Sequence, residues 1–110
     1  MPKHSNDKLQ GTLDLLILKA LSLEPMHGFG VAQRIQARTQ DVFRVNPGSL
    51  MVAFQRLERA GLIKGEWQKT ENNRRARVYQ LTARGGKQLD HDTADWRRRS
   101  LAIARLLEQE

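Results

Sequence analysis

The chain of 110 residues has no cysteine, which excludes a disulfide framework, a thiolate metal site and a cysteine nucleophile, and fits a reducing, cytoplasmic setting. Aromatic residues are scarce, 5 % against 39 % hydrophobic overall, so the core is expected to be aliphatic. Long apolar runs are missing as well. The greasiest stretch, residues 13–23, carries Asp14 and Lys19 and falls short of the roughly 20 residues a membrane span needs. The opening MPKHSNDKLQ lacks the apolar centre of a signal peptide. Negative charge is in deficit: 12 Asp and Glu face 19 Lys and Arg, a net charge of +7 and a pI near 10.6. Such a balance favours a polyanionic partner, nucleic acid or an acidic membrane surface.

Catalytic patterns are also lacking. No nucleophile with a base, paired carboxylates, phosphate-cradling loop or metal cluster is legible, and Gly85 and Gly86 do not form a nucleotide fingerprint. His4, His27 and His91 are scattered. His91 and Asp95, four apart, could share a metal, but two ligands without a third make a poor site, and a surface ion pair is the simpler reading. Neither an enzyme nor a cofactor is expected.

What is present is a short series of well-punctuated elements. Residues 1–8 read as a flexible arm. GTLDLLILKALSLE is apolar on one helix face at Leu13, Leu16, Ile17, Ala20 and Leu21. Leu15 and Leu18 extend the grease round the helix, so part of its cover is expected from a second subunit. After the break at Pro25, His27 and Gly28, a second helix repeats Val31, Ala32 and Ile35. A third has Asn46 as its cap, Pro47 at its first position, a buried face of Leu50, Ala53, Phe54 and Leu57, and Gly61 to end it. LIKGEW and ARVYQLT then alternate like strands about a polar tip of about eight residues. Thr82 caps a last helix whose Leu89, Thr93, Trp96, Ser100, Ile103 and Leu107 recur at steps of four and three, a seam that needs a partner.

Three helices followed by a hairpin is the order of a winged helix-turn-helix, mainly α with a β-hairpin wing (α+β), in which the third helix enters the major groove. Charge supports the assignment: residues 55–77 hold seven basic side chains against three acidic ones. Arg75 and Arg77 are expected on one face of the wing and Arg74 on the other, aimed at phosphates and the minor groove, with Asn72 and Asn73 at the turn. A solvated turn whose arginines only keep the protein soluble is the plainer alternative.

The segments GTLDLLILKAL, MHGFGVAQRI, GSLMVAFQRLERAGLIKGEW and ENNRRARVYQLTARGGKQL closely resemble the short class of the bacterial PadR family of transcriptional regulators. The resemblance implies a DNA-binding domain over 9–82 and a dimerisation helix over 83–110. It implies a homodimeric repressor, released from double-stranded operator DNA by a small planar hydrophobic or phenolic effector. One group in the family stacks such ligands on a tryptophan of the dimerisation helix, where this chain has Trp96; packing alone is the simpler role for it. The family usually reads SLYPALHRLE where this chain has SLMVAFQRLE, so Met51 replaces a tyrosine that contacts DNA, Val52 a proline and Gln55 a histidine. Met51 donates no hydrogen bond, whereas Gln55 can pair bidentately with adenine.

The expected DNA contacts are therefore Ser49 and Arg56 on phosphate, Met51, Val52 and Gln55 toward base edges, and Lys69, Asn72, Asn73, Arg74, Arg75 and Arg77 on the wing. Leu13 and Leu16 are expected to join the seam in the dimer interface. Arg97, Arg98 and Arg99 are expected to be solvated, balanced by Asp90, Asp92 and Asp95. A protein-interaction or RNA-binding module, or a ligand-binding dimer with weak DNA function, are the alternatives. The expected place of action is the bacterial cytoplasm, on the nucleoid when DNA is bound.

Overall fold

The computed structural model describes residues 2–109, with side-chain environments from residue 11 onward. In chain order the elements are α1 (Pro2–Leu23), β1 (Met26–His27), α2 (Gly28–Arg38), α3 (Pro47–Arg59), β2 (Ile63–Lys69), β3 (Arg75–Leu81) and α4 (Ala83–Leu107). α1 runs through the segment expected to be a flexible arm, leaving only Met1 of it outside the described residues; the side chain of His4 also lies outside them. Pro2 suits a first helical position. Residues 3–10 contain neither Pro nor Gly, so a helix nucleated by the apolar run can extend back through them, with Gly11 on the way costing about 1 kcal/mol relative to alanine.

The expected ends of α3 and α4 are realised by their own side chains. Asn46 Oδ1 accepts from the N–H groups of Gly48 (2.8 Å) and Ser49 (3.3 Å). At the other end Gly61 has φ +75°, and the Leu62 N–H returns to the Leu57 carbonyl at 3.0 Å, closing the helix in a left-handed turn. Thr82 Oγ1 accepts from the Gly85 N–H at 3.0 Å and donates back to the carbonyls of Gly61 and Leu62, so α4 starts against the end of α3. His27 caps α2 in the same way, its Nδ1 accepting from Gly30 N–H at 3.0 Å.

The sheet has three antiparallel strands in the order β1-β3-β2, one more than the expected hairpin. Met26 and His27 pair with Tyr79 and Val78, covering the middle of the β3 edge that a lone hairpin would leave unpaired. β2 and β3 pair from Ile63 with Leu81 to Lys69 with Arg75, so the tip is residues 70–74, shorter than expected. Thr70 N–H donates to the Arg74 carbonyl at 2.7 Å, and Asn73 takes φ +59°, a conformation asparagine tolerates. Arg74 thus belongs to the turn rather than to the opposite strand face.

The core gathers Ile17, Leu18, Leu21, Val31, Ile35, Leu50, Phe54, Leu57, Ile63, Tyr79 and Leu89, aliphatic apart from Phe54 stacked on Tyr79 at 4.2 Å. Tyr79 and the partly buried Leu81 anchor the hairpin to the core. Leu89, expected in a dimer seam, is 7 % exposed and belongs to the chain's own core. Leu13 and Leu16 are partly buried against that same core.

Candidate nucleic-acid interface

Because Leu50, Ala53, Phe54 and Leu57 face inward, the helical period turns Met51, Val52, Gln55 and Arg59 outward. Met51 and Val52 are 52 % and 59 % exposed, unusual for apolar residues near the middle of a helix unless that face meets something. Gln55, Glu58 and Arg59 line one shallow depression beside them. Ser49 is exposed at the first turn, but its N–H already donates to Asn46, leaving the hydroxyl as the group offered to a ligand.

Both flanks of α3 are tied down by ion pairs. Arg56 Nη1 donates to both carboxylate oxygens of Asp14 on α1 at 2.8 Å, and the pair is only partly exposed. Arg56, expected on phosphate, is thus engaged within the chain. Burial pushes the Asp14 carboxyl above its ordinary value, against the pull of Arg56, and the negative charge of Asp92 on α4 adds to the rise. On the opposite flank Arg77 of β3 donates to Glu58 Oε2 at 2.8 Å, and that hydrogen bond holds the guanidinium above its usual range. Arg77 too has an internal partner.

On the wing, Arg75 and Arg77 share a strand face with Trp67, which pairs across the ladder with Arg77. Their guanidinium carbons lie 5.2 and 5.6 Å from the indole centroid, within cation–π range. Lys69, Asn72, Asn73 and Arg74 are exposed around the tip. The structure therefore brings Ser49, Met51, Val52 and Gln55 together on one helix and Lys69, Asn72, Asn73, Arg74 and Arg75 on the wing, and turns Arg56 and Arg77 inward as braces. Sequence reasoning missed Trp67, Glu58 and Asp14. A hairpin register would have placed Trp67 opposite Arg77, but nothing local announces either carboxylate.

Away from this surface, α4 carries Trp96, Ile103 and Leu107 at 55 %, 59 % and 77 % exposure. Trp96, Leu15, Asp92, Asp95, Arg99 and Ile103 border an open groove of about 620 Å³ between α1 and α4. Arg98 and Arg99 both pair with Asp95. The Arg98 hydrogen bond holds the Asp95 carboxyl below its usual range. His91 Nδ1 lies 3.3 Å from Asp92, so the expected His91–Asp95 pair is replaced by partners nearer to each. Among the described residues no group of three metal-ligating side chains forms, and no helix is long and apolar enough to cross a membrane.

This arrangement has close parallels. A transcriptional regulator from Clostridium thermocellum superposes with a TM-score of 0.83 at 25 % identity, over 93 % of this chain and 96 % of that one. A PadR family transcription regulator from Clostridium difficile gives 0.75 at 26 % identity, over 86 % and 97 %. An uncharacterized protein of Lysinibacillus sphaericus is 26 % identical over 83 % of this chain and 84 % of its own. The model of the transcriptional regulator PadR-like family matches residues 17–91, a span that takes in α2, α3, the wing and the start of α4. With its winged helix, exposed third helix and added terminal helix, the chain belongs to the PadR-like family of transcriptional regulators.

Proposed function

We propose that the protein is a dimeric repressor that binds a specific operator and lets go when a small planar hydrophobic or phenolic effector binds. The observation that carries this is the exposed face of α3, Met51, Val52 and Gln55, set beside a wing bearing Lys69, Arg74 and Arg75. Gln55 offers a bidentate amide to adenine, and Met51 and Val52 offer apolar contact to thymine methyl groups. The wing cations and the Ser49 hydroxyl take phosphates, which position the helix without reading sequence. Dimerisation runs through Thr93, Trp96, Ser100, Ile103 and Leu107, the polar Thr93 and Ser100 lowering the stability of the seam while fixing its register.

Labelled DNA from the gene's own upstream region, titrated against scrambled DNA of equal length across a salt series, tests this. A preference of about a thousandfold or more at physiological salt is expected of a specific regulator. Equal, steeply salt-sensitive binding to both would reduce the protein to its electrostatic footprint.

The apolar Met51 and Val52 favour one competing reading, a winged helix that docks on protein or RNA; either competitor displacing operator DNA at equal concentration would support it. Effector binding rests on Trp96 beside the α1–α4 groove. With Trp67 replaced by Phe, quenching of the remaining indole by a planar aromatic compound, together with release of DNA, is the expected signature.

A further inference from the structure

We infer that the wing arginines divide their work: Arg77 is a positioning residue that ties the wing to α3 through Glu58, and Arg75, stacked on Trp67, is the arginine delivered to duplex DNA. The inference rests on the proposal that the wing lies on DNA, and it names which charge does the contacting.

The strand period puts Arg75, Arg77 and Tyr79 on one face, with Gly65 opposite Tyr79 and Trp67 opposite Arg77. Gly65 leaves a lane across that face. A Cβ there would stand 2.7 Å from Arg77 Nε and 3.0 Å from Cζ, so the guanidinium lies flat over the glycine and reaches Glu58 on α3 at 2.8 Å. It also passes 5.9 Å from the Tyr79 ring and 5.6 Å from that of Trp67. Held on three sides and neutralised by a carboxylate, Arg77 has few counterions to release and would have to leave Glu58 to meet a phosphate.

Arg75 differs on both counts. Among the described residues it has no carboxylate partner, and its side chain is exposed. Its guanidinium rests 5.2 Å from the centroid of Trp67, an indole that is itself exposed and packs nothing in the core. Stacking restrains the arm while leaving the planar fork of donors outward, and so lowers the entropy lost when a phosphate or a minor-groove acceptor is bound. One continuous set of contacts thus runs from the recognition helix to the wing, Glu58 to Arg77 to Trp67 to Arg75.

Three variants separate these roles in the full-length protein, each checked for wild-type unfolding in urea. Arg75→Ala is expected to lower the slope of log affinity against log salt by about one per wing, the value of one released phosphate contact. The paired variant E58Q/R77Q, which removes the ion pair at constant net charge, is expected to weaken operator binding about threefold to tenfold with the wild-type slope retained. The reversed pair E58R/R77E is expected to recover most of that loss. A slope falling in E58Q/R77Q as far as in Arg75→Ala would put Arg77 on phosphate and overturn the division of labour. A slope unchanged in Arg75→Ala and in E58Q/R77Q alike would take the wing off DNA, and the proposed mode of binding would fall with it.

Discussion

Gly85, in the first turn of α4, has no room for a side chain: a Cβ would stand 2.0 Å from the Leu62 carbonyl oxygen, which accepts from both the N–H and the hydroxyl of Thr82. Relief would require moving backbone, so Gly85→Ala is expected to cost about 1–3 kcal/mol or more in urea unfolding. Asp14 makes a second residue-scale prediction. Its carboxyl titrates higher in the folded chain than its ordinary 3.8 because burial outweighs the help of Arg56. Folding therefore takes up a proton in the range just above 3.8, and this contribution is full below that value and fades as pH rises through the folded value. Asp14→Asn abolishes the uptake, so the stability difference between the two proteins should move in favour of wild type as pH falls from 6 toward 4. A difference independent of pH would contradict the raised value. Some of this was legible in the sequence. Asn46, Gly61 and Thr82 act on backbone within a few residues, and such short-range chemistry shows in their spacing. The partners of Arg56 and Arg77 lie 42 and 19 residues away, and a basic side chain looks the same whether it faces a phosphate or a carboxylate.

At the scale of elements, α4 is two helices in one. Its first turns carry the buried Gly85 and Leu89, while beyond them Trp96, Leu101, Ile103, Leu106 and Leu107 are all more than half exposed. Burying one such aliphatic side chain is worth about 1.5–3 kcal/mol. The double variant I103A/L107A is expected to weaken self-association at least tenfold in sedimentation while leaving the fold of each chain intact, since neither side chain is buried within it. Loss of folding at every concentration would show instead that these residues serve the single chain. The repeat was readable because steps of four and three survive in a long helix; that it enters the core at Leu89 before leaving it was not, since period alone does not say where the chain's own core ends. β1 escaped notice for a different reason. Two residues have no period, and Met26 and His27 are a strand only because β3 offers them an edge.

For the whole molecule, the radius of gyration is 15.5 Å and the long axis 60 Å, against a radius of about 13 Å for a chain of this length packed into a single globule. The excess fits an α4 of 25 residues whose C-terminal half is exposed rather than packed in the core. If a second copy covers that half, the unfolding midpoint should rise with protein concentration, as linkage requires of a folded state that associates. A midpoint constant over a hundredfold range would argue for a stable monomer. The order of the four helices and the hairpin, and hence the winged-helix shape, could be read from pattern and punctuation alone; the braces that fix its angles, and β1, could not, because they join elements distant in sequence. The half-bare terminal helix has one more consequence. Two chains would have to meet before two recognition helices could be presented together, so at low abundance the occupied fraction of operator would grow with the square of the amount of protein in the cell. The gene would then have a threshold of expression below which its product is nearly silent, set by the grip of a few aliphatic side chains far from the DNA.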